Sequence, residues 1–147
     1  MHDESIPGKL EAFEALCRKR KLALTHQRRV IFQAVLERND HPTADQVYEA
    51  VRERIPGVSR TTVYRVLEML VELGVVGRLH PSGPAVRFEG KTRRHHHLIC
   101  RRCQRVLDIE DPALDALPVP RIAARKFRVE DYSVQILGVC GECREKG

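Results

Sequence analysis

The sequence predicts an α+β protein of two units, an N-terminal winged helix-turn-helix and a smaller C-terminal α/β unit held by a structural zinc. Three observations predict it. Four segments between residues 9 and 73 repeat apolar residues at helical spacing, two short β runs follow around a Pro-Ser-Gly-Pro turn, and two Cys-x-x-Cys pairs bracket most of the remaining chain. The boundaries fall at residues 1–88, 89–94 and 95–147, the middle segment being a turn at Gly90 and the mixed basic stretch after it.

In the first helix Leu10, Phe13 and Cys17 recur at helical spacing, and the pattern ends near Lys21. Cys17 reads as a buried core thiol, since no activating base stands near it in sequence. Thr25 caps a second helix that runs to about Arg38 and buries Val30, Ile31, Ala34 and Val35. Asp40-His41-Pro42 breaks it. Thr43-Ala44-Asp45-Gln46 fits a capping box for a third helix with Val47, Tyr48, Val51 and Ile55 as its apolar stripe, stopped by Pro56-Gly57. Ser59 caps the fourth, residues 60 to about 73. It turns Val63, Val66, Leu67 and Leu70 inward and leaves Arg60, Thr61, Tyr64, Arg65 and Glu68 outward. After Gly74, residues 75–79 and 85–88 predict a hairpin around the turn at 81–84.

In the second unit, residues 96–100 and 105–109 read as strands around the Cys100-Arg101-Arg102-Cys103 turn, and residues 127–139 as a longer strand. Pro118 and Pro120 limit any helix between them to short pieces. Too few residues remain to bury a large apolar core, so a metal or a partner subunit should help. Cys100-x-x-Cys103 and Cys140-x-x-Cys143, 36 residues apart, are spaced for one tetrahedral zinc, each turn presenting two thiolates. A redox dithiol needs only one such pair.

His95-His96-His97 is the second cluster. On a strand His95 and His97 point to one side and His96 to the other, with Asp108 on the neighbouring strand. His41, an exposed turn histidine on local evidence, and Glu89 could complete a site of three imidazoles and two carboxylates. Such N/O ligation suits iron(II), manganese(II) or zinc(II).

Charge adds a third feature. The net charge is +6 with a pI near 9.3, which permits a polyanion partner without requiring one. Its clustering is more specific: Arg18, Lys19, Arg20, Lys21, Arg28 and Arg29 lie in an acid-free stretch that fits either a phosphate-facing patch or a solvated face. No apolar run approaches the roughly 18 to 20 residues that cross a bilayer, and the first residues lack the basic-then-apolar order of a secretion signal. A cytoplasmic protein with no membrane partner is expected, where five cysteines stay free or metal-bound.

Taken together, these motifs resemble the ferric uptake regulator family over nearly the whole chain. Thr25-His26-Gln27-Arg28 is similar to its T-x-Q-R start of helix two, His41-Pro42-Thr43-Ala44-Asp45 to its H-P-T-A-D turn, Thr61-Thr62-Val63-Tyr64-Arg65-Val66-Leu67 to its recognition helix, and His95-His96-His97-Leu98-Ile99-Cys100 to its H-H-H-x-I-C segment. The resemblance implies a homodimeric, metal-dependent transcriptional repressor whose C-terminal unit is the dimerisation domain and whose partner is a palindromic double-stranded operator. It implies structural zinc on the four cysteines and a regulatory iron(II) or manganese(II) on His41, Glu89, His95, His97 and Asp108. Tyr64 and Arg65, with Arg60 and Thr61, would face the major groove, while Arg28, Lys19 and Lys21 would meet the backbone.

Departures from the family carry information. His26 replaces a common proline. Arg94, His96 and Tyr132 occupy three places where many relatives put ligands of a further metal site, so that site is expected to be absent. Peroxide-sensing members resemble this chain in placing Asp at the position of Asp108, although they usually have Asp where Glu89 stands. Peroxide sensing through iron is therefore expected, with iron, zinc or manganese sensing as alternatives. A zinc-dependent hydrolase is the competing class, but neither HExxH nor a Ser-His pairing is present, and no enzyme is expected. An RNA-binding zinc protein would carry more stacking residues than 5% aromatics with no Trp.

Overall fold

The computed structural model describes residues 4–80, 85–91 and 93–147. These fall into two compact units, residues 4–80 with 85–91, and residues 93–147.

The first unit contains α1 (Ile6–Lys19), α2 (His26–Leu36), α3 (Ala44–Val51) and α4 (Arg60–Glu72), then strands β1 (Gly77–Leu79) and β2 (Arg87–Glu89). Each helix starts where a hydroxyl side chain satisfies an orphan amide: Ser5 accepts from Gly8, Thr25 from Arg28, Thr43 from Gln46 and Ser59 from Thr62. At α3 the Gln46 side chain also returns to the Thr43 amide at 2.9 Å, completing the capping box. Two helices end earlier than expected. The α2 helix stops at Leu36 rather than Arg38, and α3 at Val51, with Ile55 still buried from the turn that follows.

The inward stripes meet in one core. Phe13 and Phe32 pack with ring centroids 4.9 Å apart, and Ile31, Val35, Val47, Val51, Val63, Leu67, Leu70 and Phe88 close around them. Cys17 is buried in the same cluster, where burial pushes its thiol pKa up, the state of an inert core thiol. Val30 is only half-buried at its margin.

Strand β1 begins at Gly77, two residues later than expected, because the amides of Val75 and Val76 both turn back to the Leu70 carbonyl and close α4. That closure passes through Gly74, whose φ of 78° is left-handed and favours glycine. The hairpin is antiparallel, with Gly77 opposite Glu89 and Leu79 opposite Arg87. Its turn at residues 81–84 lies outside the described residues.

The second unit is a three-stranded sheet in the order β4 (Val106–Ile109), β3 (His96–Cys100), β5 (Gln135–Gly138), antiparallel on one side and parallel on the other. The register aligns Leu98 with Leu107 and Ile136 on one face, and His97 with Asp108 and Gln135 on the other. Short helices α5 (Pro112–Asp115), α6 (Arg121–Lys126) and α7 (Gly141–Glu145) complete it.

The expected long strand over residues 127–139 is reduced to four residues. Side chains claim the segment before it: the Tyr132 hydroxyl donates to the Leu114 carbonyl at 2.6 Å and accepts from the Leu117 amide, while Asp131 takes the Arg94 guanidinium at 2.5 Å. Among the described residues of this unit, only Ile99, Cys100, Val106, His96 and His97 are deeply buried, while Leu107, Ile122, Phe127 and Ile136 are exposed. No helix among the described residues is long and apolar enough to cross a membrane.

Candidate functional site

The four cysteines converge at the end of the second sheet. Cys100 closes β3, Cys103 follows in the turn to β4, and Cys140 and Cys143 flank the start of α7, which sequence patterns did not signal. Their sulfur atoms lie within 4.8 Å of one another, and Cys103 Sγ is 3.8 Å from Cys140 Sγ. A tetrahedron with Zn–S bonds of about 2.3 Å has edges of about 3.8 Å, so the donor set fits zinc. Amides point into the cluster. Backbone donation from Cys103 and Cys140 pulls the Cys100 thiol pKa down to about 6, so it is a thiolate near neutrality, while a shared hydrogen bond with Cys140 pushes Cys143 up. Arg102 donates to the Cys143 carbonyl at 3.0 Å and Arg105 pairs with Glu142 at 2.9 Å, so two arginines of the first knuckle hold the second.

Strand alternation separates the three histidines. His95 and His97 face Asp108, whose Oδ1 lies 3.7 and 3.5 Å from their Nε2 atoms. The His95 Nδ1 donates to the Arg93 carbonyl at 2.6 Å, which leaves the Nε2 lone pair toward the carboxylate. A lone pair and a carboxylate brought together suit a cation between them, and N/O donors of this kind suit iron(II) or manganese(II). His96 faces the opposite side, fully buried, its Nε2 2.8 Å from Asp115 and its Nδ1 accepting from the Val134 amide. Arg94 bridges Asp115 and Asp131 and lies over the Tyr132 ring at 4.7 Å.

In the first unit His41 is buried rather than an exposed turn residue, and its Nε2 is 3.0 Å from Glu89. Strand β2 builds this pair. Phe88 donates its amide to the Pro42 carbonyl at 2.9 Å, and Arg87 donates to the His41 carbonyl at 3.1 Å. Glu89 follows at the strand's end and meets the imidazole.

On α4, Arg60, Thr61, Tyr64 and Arg65 lie on the solvent side of the helix, opposite the buried Val63 and Leu67. Tyr64 is 44% exposed, large for an aromatic. Lys19 ends α1, Lys21 follows in a left-handed conformation with φ 56°, and Arg28 donates to the Ala23 carbonyl from the first turn of α2. Sequence reasoning missed Asp45, Arg87 and Asp115. Asp45 was legible as part of the capping box and of the H-P-T-A-D turn, with no role of its own, yet its Oδ1 accepts from the Tyr64 hydroxyl at 2.7 Å and from Arg60 at 2.6 Å.

Comparison with known proteins places these features in one group. The description "Ferric uptake regulator family" matches residues 19–137. The chain is 34% identical to the peroxide-responsive repressor PerR of Staphylococcus epidermidis, over 98% of this chain and 96% of that one. Among solved structures it is similar to the ferric uptake regulator of Francisella tularensis with iron, at TM-score 0.70 and 26% identity over 84% of this chain and 95% of that one. It shares its fold with the Helicobacter pylori regulator, at TM-score 0.76 and 20% identity over 95% and 94% of the two chains. With the winged helix, four clustered thiols and the histidine strand in place, the chain belongs to the ferric uptake regulator family, whose members are transcription regulators rather than enzymes.

Proposed function

We propose that this chain is a homodimeric, metal-dependent repressor of a palindromic operator that senses peroxide through iron. In this reading zinc sits on Cys100, Cys103, Cys140 and Cys143, and the regulatory metal on His41, Glu89, His95, His97 and Asp108. The observation that carries it is the grouping of His95 and His97 around the short carboxylate of Asp108, in a chain similar to a peroxide-responsive repressor over its full length.

Each residue then has a role. His95 and His97 offer Nε2 lone pairs from one rigid strand, and Asp108 neutralises the cation from the next. His41 and Glu89 supply an imidazole and a carboxylate that β2 already holds together. Iron(II) held by these residues would supply the redox centre at which peroxide is split, one oxygen atom going to the ring of His41 or His95 and the other leaving as water, and the oxidised imidazole would be lost as a ligand. Ligands drawn from both units let the metal set the spacing of two recognition helices in the dimer, so metal and operator binding reinforce one another. The dimer forms through the sheet face of Leu98, Leu107 and Ile136, where an apolar groove of about 260 Å³ continues to Val139. Tyr64 and Arg65 read bases, Arg60 and Thr61 accompany them, and Arg28, Lys19 and Lys21 contact phosphates.

The test is to load the dimer with iron(II), expose it to low micromolar peroxide and follow DNA release together with peptide masses. Peptides carrying His41 or His95 gain the mass of one oxygen atom, a manganese-loaded control resists, and Asp108→Glu blunts the response. Iron-loaded protein that keeps both histidines and its DNA would move the assignment to plain iron sensing, the reading that Glu89 favours.

A further inference from the structure

A carboxylate on a surface that meets phosphates opposes binding unless it is engaged. Asp45 is such a group. It stands in the first turn of α3 with its side chain 63% exposed, and its Oδ1 receives both the Tyr64 hydroxyl and the Arg60 guanidinium of α4. The hydrogen bond from Tyr64 draws the Asp45 carboxyl below its usual range, and the same bond raises the phenol above its own. Arg60 is held further by the Tyr48 ring, 4.5 Å below it, and by Glu49 at 3.8 Å. Beside Tyr64 a groove of about 410 Å³ opens toward β1 and β2, and its other acid, Glu68, is paired with Arg78. Arg65, exposed on the same helix, makes no ion pair among the described residues.

We propose that Asp45 is a positioning residue that sets sequence discrimination at Tyr64 and withholds Arg60 from the DNA backbone. The inference rests on the reading of α4 as the helix that enters the major groove. A phenol that donates to Asp45 cannot donate to a phosphate, a contact blind to sequence, and its ring is left to pack on a thymine methyl, a contact that is not. Arg60, clamped on three groups, does not add a phosphate contact. The clamp thus lowers binding to every sequence while keeping the contact that distinguishes them, which is how discrimination is gained without added affinity.

The experiment uses the full-length chain loaded with manganese(II), so that peroxide chemistry plays no part. Two duplexes of equal length serve as probes: the palindrome that the wild-type protein selects from a randomised pool, and a scrambled sequence. Asp45→Ala is expected to bind the scrambled duplex several-fold more tightly, to steepen its salt dependence by about one phosphate contact, and to lower the ratio of selected to scrambled affinity by about tenfold. Asp45→Asn keeps an acceptor for the phenol and holds that ratio within about threefold of wild type. Tyr64→Phe, which has no hydroxyl to give a phosphate and keeps its ring, holds the ratio near wild type, and in that background Asp45→Ala lowers the ratio by less than it does alone, since only Arg60 is then set free.

A wild-type ratio in Asp45→Ala, or a loss in that variant that is undiminished when Phe already stands at 64, overturns the proposal. Should Asp45→Ala fail to fold, Asp45→Leu, which likewise accepts no hydrogen bond, takes its place, and a wild-type ratio there overturns the proposal equally. The double variant Tyr64→Ala, Arg65→Ala separates the two levels. If that variant keeps full preference for the selected duplex, α4 does not read DNA and both readings fall; if it loses preference while Asp45→Ala does not, only the role of Asp45 falls.

Discussion

His41 holds a left-handed backbone, φ 55°, directly before a proline, a conformation that costs a β-carbon residue on the order of 1 kcal/mol. Its surroundings fix it there: Arg87 takes its carbonyl, Phe88 takes that of Pro42, and Glu89 meets its ring. Residues so determined by neighbours from distant strands are where sequence reading runs short. Asp45 reaches Tyr64 across 19 positions and His96 reaches Asp115 across the same span, and neither pairing has a spacing signature. The Asp45 contact has its own spectroscopic consequence. With the phenol of Tyr64 held above the ordinary tyrosine range by the neighbouring carboxylate, Asp45→Asn should bring its titration down. Carbon-detected NMR on labelled tyrosine resolves Tyr64 from Tyr48 and Tyr132, and an unmoved Tyr64 titration would show the bond absent in solution.

At the level of elements, the helices of the first unit were legible because caps and stripes agree with one another. Thr25, Thr43 and Ser59 each begin a helix whose inward residues are spaced three and four apart. The second unit was less so. Residues 128–134 carry strand-forming types but are held by Arg94 and by the Tyr132 hydroxyl, and α7 starts on a cysteine that made no cap signal. The alternation of His95, His96 and His97 was readable because a strand has period two and admits no other arrangement. The α3 helix has only eight residues, too short to persist on propensity, so its capping box matters. Thr43→Ala should lower the stability of the first unit by about 1 kcal/mol in urea unfolding, with Gln46→Ala costing less. An unchanged midpoint would mean that packing of Val47 and Val51 alone sustains the helix.

On the scale of the whole molecule, the two units rest on different physics. The first closes around fully buried Phe13, Ile31, Leu67 and Leu70, whereas the second leaves Ile122 and Phe127 about two-thirds exposed and has four thiols in place of a large core. Cys140→Ser should therefore lose one zinc per chain, unfold the second unit and leave a monomer, as native mass spectrometry and size exclusion would report. Retained zinc and an intact dimer would refute the structural assignment. Native protein should hold two metals per chain and no tight third in a chelator titration. The carboxylates of Asp115 and Asp131 already share the guanidinium of Arg94, a fixed cation that engages the charge a metal would require. Three tightly held metals would contradict this.

Strand β2 has three duties in three consecutive residues: Arg87 secures the turn of His41, Phe88 enters the core, and Glu89 meets the imidazole. Gly90 then passes so close to Leu36 that a β-carbon would lie 2.5 Å from its Cδ2. Insertions and deletions are consequently barred from residues 87–90. One added residue there would send Phe88 to solvent and a charge into the core, so lineages descended from this sequence can vary in length around this segment but not within it.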